Sequence, residues 1–310
     1  MKEMLAVAGP TASGKSALAL ALCERYGGEL VSVDSMQVYR EMDIGTAKPD
    51  KSELSRVRHH LVDICSPAEA FSAADFAAAA HEAIADIRSR GKIPVLCGGT
   101  GLYMDTVISR MPFSDAEADP AMREELRRIA EKDGAHTLWL MLDALDHEAA
   151  AKIHENNIKR VIRAIEICRA AGTKTESDAQ AKAAAVPYDC TRIILDVRDR
   201  EFLYSRINRR VDKMISDGLA EEARRLYENG WLSSNTTAAC AIGYKELLGF
   251  IRGERPLSDC VEELKRATRR YAKRQLTWFS QSKDAARFHI DDYPGEKELA
   301  EAVFAFLEAK

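Results

Sequence analysis

No apolar run in this sequence is long enough to span a bilayer, and no basic segment leads into an apolar stretch and a small-residue cleavage site. Membrane insertion and secretion are therefore not expected, and the chain reads as soluble and cytoplasmic. Its seven cysteines are scattered: none forms a C-x-x-C pair, and none joins a histidine at zinc spacing. That leaves neither a disulfide framework nor a zinc module, so the thiols read as small, reduced core residues. Internal repeats are absent. What is abundant is apolar residue, 46% of 310 positions and spread along the whole length, which excludes disorder and suffices for one large or two modest domains. A net charge of −4 argues mildly against a polyanionic partner. Between Lys265 and Arg287, however, eight basic residues accompany a single acid, Asp284. Local charge is what a phosphate backbone meets, so nucleic acid stays open.

The first hundred residues alternate short apolar runs with helical periodicity. Met4–Ala8, Glu29–Val33 and Ile93–Cys97 read as buried strands, and Lys15–Tyr26 and Phe71–Arg90 as helices, the latter capped by Ser72. Fully apolar strands separated by helices predict an α/β fold with a parallel sheet covered on both faces. From about Ser114 the chain becomes rich in Ala, Arg and Glu, with a helix expected after Asp119-Pro120. Leu138–Leu142 suits either a strand or a buried helical turn, and the Ala-rich stretch Thr175–Val186 reads as mobile and exposed. Residues 114–186 are thus expected to form a helical insertion in a core made of 1–113 and 187–310. Arg192–Val197 returns to strand, and helices complete the chain to Leu307.

Gly9-Pro10-Thr11-Ala12-Ser13-Gly14-Lys15-Ser16 fits G-x-x-x-x-G-K-[ST] between a strand and a helix, the context that marks a phosphate-binding loop. Its glycines permit converging amides, Lys15 adds a point charge, and the helix end adds a positive dipole. Ser16 is positioned to ligand a phosphate-bound Mg²⁺. Asp34 follows the second strand as either a helix cap or a general base, with Ser35 and Gln37 beside it able to read hydrogen-bonding edges. Gly98-Gly99-Thr100-Gly101 follows the strand where many P-loop ATPases carry an acid; here that carboxylate is missing, which counts against an ATPase. The glycines either make a turn or let substrate approach, with Thr100 offering a hydroxyl. Two basic segments, Lys159–Arg163 and Arg266–Arg274, read as solvated helix faces or as nucleic-acid contacts. Arg206 and Arg210, four apart, either face solvent or reach a departing phosphate.

Together the segments resemble the tRNA dimethylallyltransferases, in their bacterial form. GPTASGKS at 9–16, SVDSMQVYREMDIGTAKP at 32–49, HHLVDI at 59–64, GGTGLY at 98–103, NNIKRVIRAIEI at 156–167, AIGYKEL at 241–247 and AKRQLTWF at 272–279 carry the resemblance. It implies a P-loop NTPase-like core and transfer of a dimethylallyl group from dimethylallyl diphosphate to N6 of the adenine 3′ of the anticodon, in tRNAs reading codons that begin with U. By the same resemblance Lys15, Arg210 and Mg²⁺ stabilise the departing diphosphate, Asp34 takes the N6 proton, and Thr100 orients the reacting groups. Asp34, Ser35, Met36, Gln37 and Thr100, with Arg123, Lys159, Arg160, Val161, Ile162 and Arg163, are expected at the tRNA, and the enzyme is expected to act as a monomer. His154-Glu155-Asn156 departs from the family's His-Pro-Asn. A P-loop small-molecule kinase would share the loop and Asp34 but leaves the missing acid and the basic segments unexplained. A non-catalytic RNA-binding module leaves Asp34 and Thr100 without a role. A transferase acting on free adenine nucleotides does not need the helical insertion.

Overall fold

A computed structural model describes residues 3–108, 119–176, 188–232 and 237–309. The chain divides into two compact units, Met1–Ile108 with Tyr188–Lys310, and Ser109–Pro187. The expected boundaries of the insertion, at 114 and 186, lie outside the described residues.

The first part of the larger unit runs β1 (Met4–Ala8), α1 (Lys15–Tyr26), β2 (Gly28–Ser32), α2 (Lys51–Arg56), β3 (His59–His60), α3 (Ala73–Ser89), β4 (Ile93–Gly98) and α4 (Gly101–Ile108). The smaller unit holds α5 (Pro120–Lys132), α6 (Ala135–Leu145), α7 (His147–Lys152) and α8 (Ile158–Ala171). The chain then continues with β5 (Cys190–Asp196), α9 (Arg200–Ser216), α10 (Leu219–Glu228), α11 (Leu248–Ile251), α12 (Leu257–Phe279), β6 (Ala286–His289) and α13 (Glu296–Glu308).

The six strands form one sheet in the order β3-β2-β4-β1-β5-β6, and every neighbouring pair is parallel. This is a P-loop NTPase-like α/β core. Successive side chains of a strand point to opposite faces, and in β1 both faces are buried. Leu5 and Val7 pack with Leu18 and Leu22 of α1, Ile207 of α9 and Val303 of α13. Met4, Ala6 and Ala8 pack with Phe76 and Ile84 of α3, Val107 of α4 and Phe279 of α12. A sheet covered on both sides explains why its strands read as unbroken apolar runs. A third cluster joins Val38, Tyr39 and Met42 to Leu219, Tyr244, Leu247 and Leu264, and so anchors the segment after β2.

Local signals account for the helix ends. Ser72 and Asp75 form a reciprocal capping box at α3, an arrangement whose loss costs about 1 kcal/mol. Asp119 caps α5 by accepting from the Ala121 and Met122 amides. The Leu138–Leu142 run is helical: Leu138 and Leu142 are buried at i, i+4 while Leu140 is 49% exposed, a helical and not a two-residue period. Of the Ala-rich stretch expected to be mobile and exposed, only Thr175 and Glu176 are described. Thr175 is held, its amide and hydroxyl both donating to Asp146 at 2.8 Å.

Candidate active site

Three strands that lie side by side deliver the site. β1, β4 and β2 end in register, with Ala8 opposite Gly98 and Ser32 opposite Cys97. The loops leaving their carboxyl ends carry the phosphate-binding sequence, Thr100 and Asp34. In open parallel sheets ligands bind outside such strand ends.

The loop after β1 needs its glycines. A Cβ on Gly9 would lie 2.5 Å from the Leu195 carbonyl oxygen, and Gly14 sits at φ 88°. Lys15 Nζ donates to Pro10 O at 2.9 Å. Burial and, to a lesser degree, the Arg210 charge pull its pKa down to about 8, against the opposing pull of Cys97 and Asp34. Ser13 Oγ is buried without a hydrogen-bond partner, whereas Ser16 is exposed towards a cavity.

That cavity, about 540 Å³, is lined among others by Lys15, Ser16, Asp34, Arg210, Tyr271 and Gln275. Asp34 Oδ1 accepts from the amides of Met36 at 2.8 Å and Gln37 at 3.4 Å. The carboxylate therefore does cap the following turn, while Oδ2 has no hydrogen-bond partner among the described residues. The two roles weighed from sequence are compatible, one per oxygen. Thr100 does not line the cavity itself. Its hydroxyl accepts from Ser35 N at 3.2 Å and donates to Ser35 Oγ at 3.5 Å, tying it to a residue that does. Arg206 and Arg210 divide their work. Arg206 Nε donates to Ala12 O at 2.8 Å, bracing the phosphate loop from α9. Arg210 turns to the cavity, where burial lowers its pKa against the attraction of Asp34.

Two sequence expectations meet a different arrangement. Gln37, expected to read bases, has its amide committed within the protein: Oε1 accepts from Ser32 Oγ, and Nε2 donates to Thr46 O and Ala47 O. It braces the loop that walls the cavity, because both of its donor hydrogens are taken. Val161 and Ile162, expected at the tRNA, are 0% and 5% exposed in the core of the helical unit. At helical spacing they face inward while Lys159 and Arg160 on the same helix are exposed. Arg123 forms a paired contact with the buried Glu166 at 2.6 and 3.0 Å, and Arg163 reaches the same carboxylate at 3.3 Å. Met36 is half-buried against the third core cluster.

Sequence reading assigned no role in the phosphate site to several residues that shape it, placing Tyr271 and Gln275 only among the basic residues of a helix that suits nucleic acid or the core. Glu222, 4% exposed, accepts from the amides of Asp43, Ile44 and Gly45 and from Tyr244 Oη at 2.8 Å. It pins the far wall of the cavity, and a Cβ on Gly45 would strike the Tyr244 ring at 2.5 Å. The Tyr271 hydroxyl is pushed up to about 12, first by burial and then by Asp34, with the Thr100 hydroxyl and the Gln275 amide within its reach. A buried glutamine at an apolar helical position, Gln275, was the available signal.

A cradle for phosphate and a half-free carboxylate opening on one cavity suit transfer from a phosphorylated donor. The IPP transferase family model matches residues 37–282. The chain belongs to this family. It is 43% identical over 99% of its length to the tRNA dimethylallyltransferase of Caldanaerobacter subterraneus subsp. tengcongensis, covering 98% of that protein. Against the tRNA dimethylallyltransferase of Halalkalibacterium halodurans the identity is 45%, with 100% and 98% covered. The crystal structure of the full-length tRNA isopentenylpyrophosphate transferase from Bacillus halodurans matches at TM-score 0.73 and 42% identity, over 100% of this chain and 96% of that one. A eukaryotic dimethylallyltransferase acting on tRNA matches at TM-score 0.85 and 28% identity, over 100% of this chain and 80% of that one. The family expected from the motifs is the family found.

Proposed function

We propose that this IPP transferase family member moves a dimethylallyl group from dimethylallyl diphosphate to N6 of the adenine 3′-adjacent to the anticodon, in tRNAs reading codons that begin with U. The observation that carries the reading is that Lys15, Arg210 and Asp34, whose Oδ2 has no hydrogen-bond partner among the described residues, line one cavity. The C1–O bond of the donor breaks as the N6–C1 bond forms, Oδ2 takes the N6 proton, and diphosphate leaves into the loop. An exocyclic adenine amine is a weak nucleophile, so charge stabilisation at the leaving group supplies the larger share of catalysis. Lys15 and Arg210 do this in a site partly closed to water, and Thr100 helps to orient the reacting groups through Ser35, which lines the cavity.

The residues fit a diphosphate-bound cation. Ser16 offers a hard oxygen to the cavity, and among the described residues no three His, Cys, Asp or Glu side chains gather to hold a metal. Such a site takes Mg²⁺ through substrate phosphates. Ser16 and the donor's own oxygens would hold Mg²⁺, which supplies charge neutralisation to the leaving group.

The acceptor base is unreachable while stacked, so the proposal has it flipped into the cavity past Ser35 and Met36. Lys159, Arg160, Arg163 and Arg123, on the helical insertion at 114–186, meet the anticodon stem-loop. The enzyme acts as a monomer in the cytoplasm, the compartment that holds its tRNA substrate. Among the described residues no helix is long and apolar enough to cross a membrane.

The test is incubation with Mg²⁺, labelled dimethylallyl diphosphate and either unmodified tRNA or AMP, with ATP consumption followed in parallel. Label enters tRNA, AMP stays unlabelled and ATP is untouched. Preference for AMP, or no label in tRNA, refutes the proposal. Asp34→Asn keeps an acceptor oxygen for Met36 N and loses the base, so transfer falls about 10²–10⁴-fold with tRNA affinity retained. Activity near wild type would reduce Asp34 to a cap.

A further inference from the structure

α12 buries an apolar stripe of Cys260, Leu264, Ala272 and Phe279, and in the same stripe stands Gln275, 5% exposed. A buried amide costs stability unless both of its ends are bonded. Here both are. Oε1 accepts from the Thr11 amide at 2.9 Å, and Nε2 donates to Gly99 O at 2.9 Å. One partner is in the phosphate loop after β1, and the other is in the turn after β4 that carries Thr100. A side chain at position 99 would collide with this bridge, because a Cβ on Gly99 would overlap Gln275 Nε2. Gly99 is not among the glycines at positive φ. Its lack of a side chain therefore answers to the glutamine and not to a backbone conformation.

We propose that Gln275 is a positioning residue that locks the phosphate loop to the Gly99-Thr100 turn, so that the leaving-group cradle and the turn that holds Ser35 through Thr100 keep one fixed separation. The phosphate loop is thereby held from outside at two successive residues, Thr11 by Gln275 and Ala12 by Arg206. Thr100 is fixed in the same frame by Ser35 and by its own amide, which donates to Val33 O at 3.4 Å. In-line displacement tolerates little drift between nucleophile and leaving group. Removing the lock costs rate through geometry, because both ends of the Gln275 amide are bonded within the protein.

The kinetic part of the inference rests on the proposed transfer reaction; the binding part does not. The experiment is a double-mutant cycle with Gln275→Ala, Gly99→Ala and the double variant. It is read on the Kd for inorganic diphosphate with Mg²⁺ and on the rate of dimethylallyl transfer to tRNA. Each single variant weakens diphosphate binding about tenfold and lowers kcat about 10²-fold, with KM for tRNA unchanged. In the double variant the losses do not multiply, because the alanine at 275 leaves room for the methyl at 99. Gln275→Met, which keeps the volume and loses both bonds, repeats the alanine result should the smaller side chain unfold the helix. Loss of fold alone would lower the fraction of active protein and leave Kd and KM as they were. Multiplying losses, or wild-type Kd and kcat in both Gln275 variants, overturn the proposal. If the wild-type enzyme transfers nothing to tRNA, the reaction proposed above fails while the cycle on Kd still decides the lock.

Discussion

Lys15 carries its ammonium within the phosphate loop at a cost that substitution can remove. Holding it at a pKa of about 8 in place of the usual 10.5 costs the native state about 3 kcal/mol at pH 7. Lys15→Met removes that burden and keeps the aliphatic stem. It also removes the bond from Nζ to Pro10 O, a loss of about 1 kcal/mol. The expected result in the absence of diphosphate is a protein stabilised by about 2 kcal/mol at pH 7. The pH dependence follows from the direction of the shift. Below pH 8 native and unfolded chains both carry the proton and the native state bears the full penalty. Between pH 8 and 10.5 the unfolded chain binds more protons, so wild-type stability rises with pH and the variant's advantage fades. Urea unfolding at about pH 7 and about pH 10 measures both quantities. Added diphosphate then inverts the ranking, since only the wild type gains stability by binding. A variant less stable than wild type at neutral pH, or an advantage that does not change with pH, would refute this account of the lysine.

Other perturbations read other parts of the site. Glu222→Ala strips the acceptor from three backbone amides and the Tyr244 hydroxyl, and should cost about 3 kcal/mol in urea unfolding. Glu222→Gln, which keeps one carbonyl oxygen, should cost less, and equal losses would mean the carboxylate is not the anchor. Lys159→Ala with Arg163→Ala should weaken tRNA binding evenly across sequences and lower the salt slope by about 1 for each phosphate no longer neutralised, while the diphosphate Kd stays constant. An unchanged slope removes these residues from the tRNA surface. Gly98→Ala should destabilise more than Gly101→Ala, because its Cβ would overlap the Val33 backbone carbonyl, whereas at Gly101 it would meet the Trp278 side chain. Side chains can shift where a strand's carbonyl cannot, so the reverse order of urea midpoints would contradict the packing described.

The parts of the molecule that were legible in the sequence share one property: their determinants are neighbours along the chain. β1, β2 and β4 announce themselves because both faces are buried, α3 because Ser72 and Asp75 close its first turn, and the phosphate loop because eight consecutive residues build it. The site's supports are of another kind. Gln37, Glu222 and Gln275 bond mainly to backbone amides and carbonyls, and a backbone group leaves no mark in a residue pattern. Thr11 and Gln275 stand 264 positions apart, and Ile44 and Glu222 stand 178 apart. Val161 and Ile162 differ again: their periodicity marks the apolar stripe in which they are buried, and their expected place at the tRNA comes from the family resemblance alone.

The acid missing after β4 has a steric cause that the sequence could not supply. β4 ends at Gly98, where the sheet register brings the Val33 carbonyl so close that any Cβ would overlap it. The next position, Gly99, is closed by Gln275. At Gly98 a side chain would meet backbone that cannot move, and at Gly99 it would first have to displace the Gln275 amide. Asp34 offers its carboxylate to the cavity from the end of the neighbouring strand β2 instead, one oxygen tied to its own turn and the other without a partner among the described residues. At Gly99 the absence that counts against an ATPase is therefore the other side of the Gln275 lock, and at Gly98 it answers to the Val33 carbonyl. An Asp placed at Gly99 should break the phosphate loop's attachment before it could add a ligand, and one at Gly98 should instead distort the backbone that follows β2.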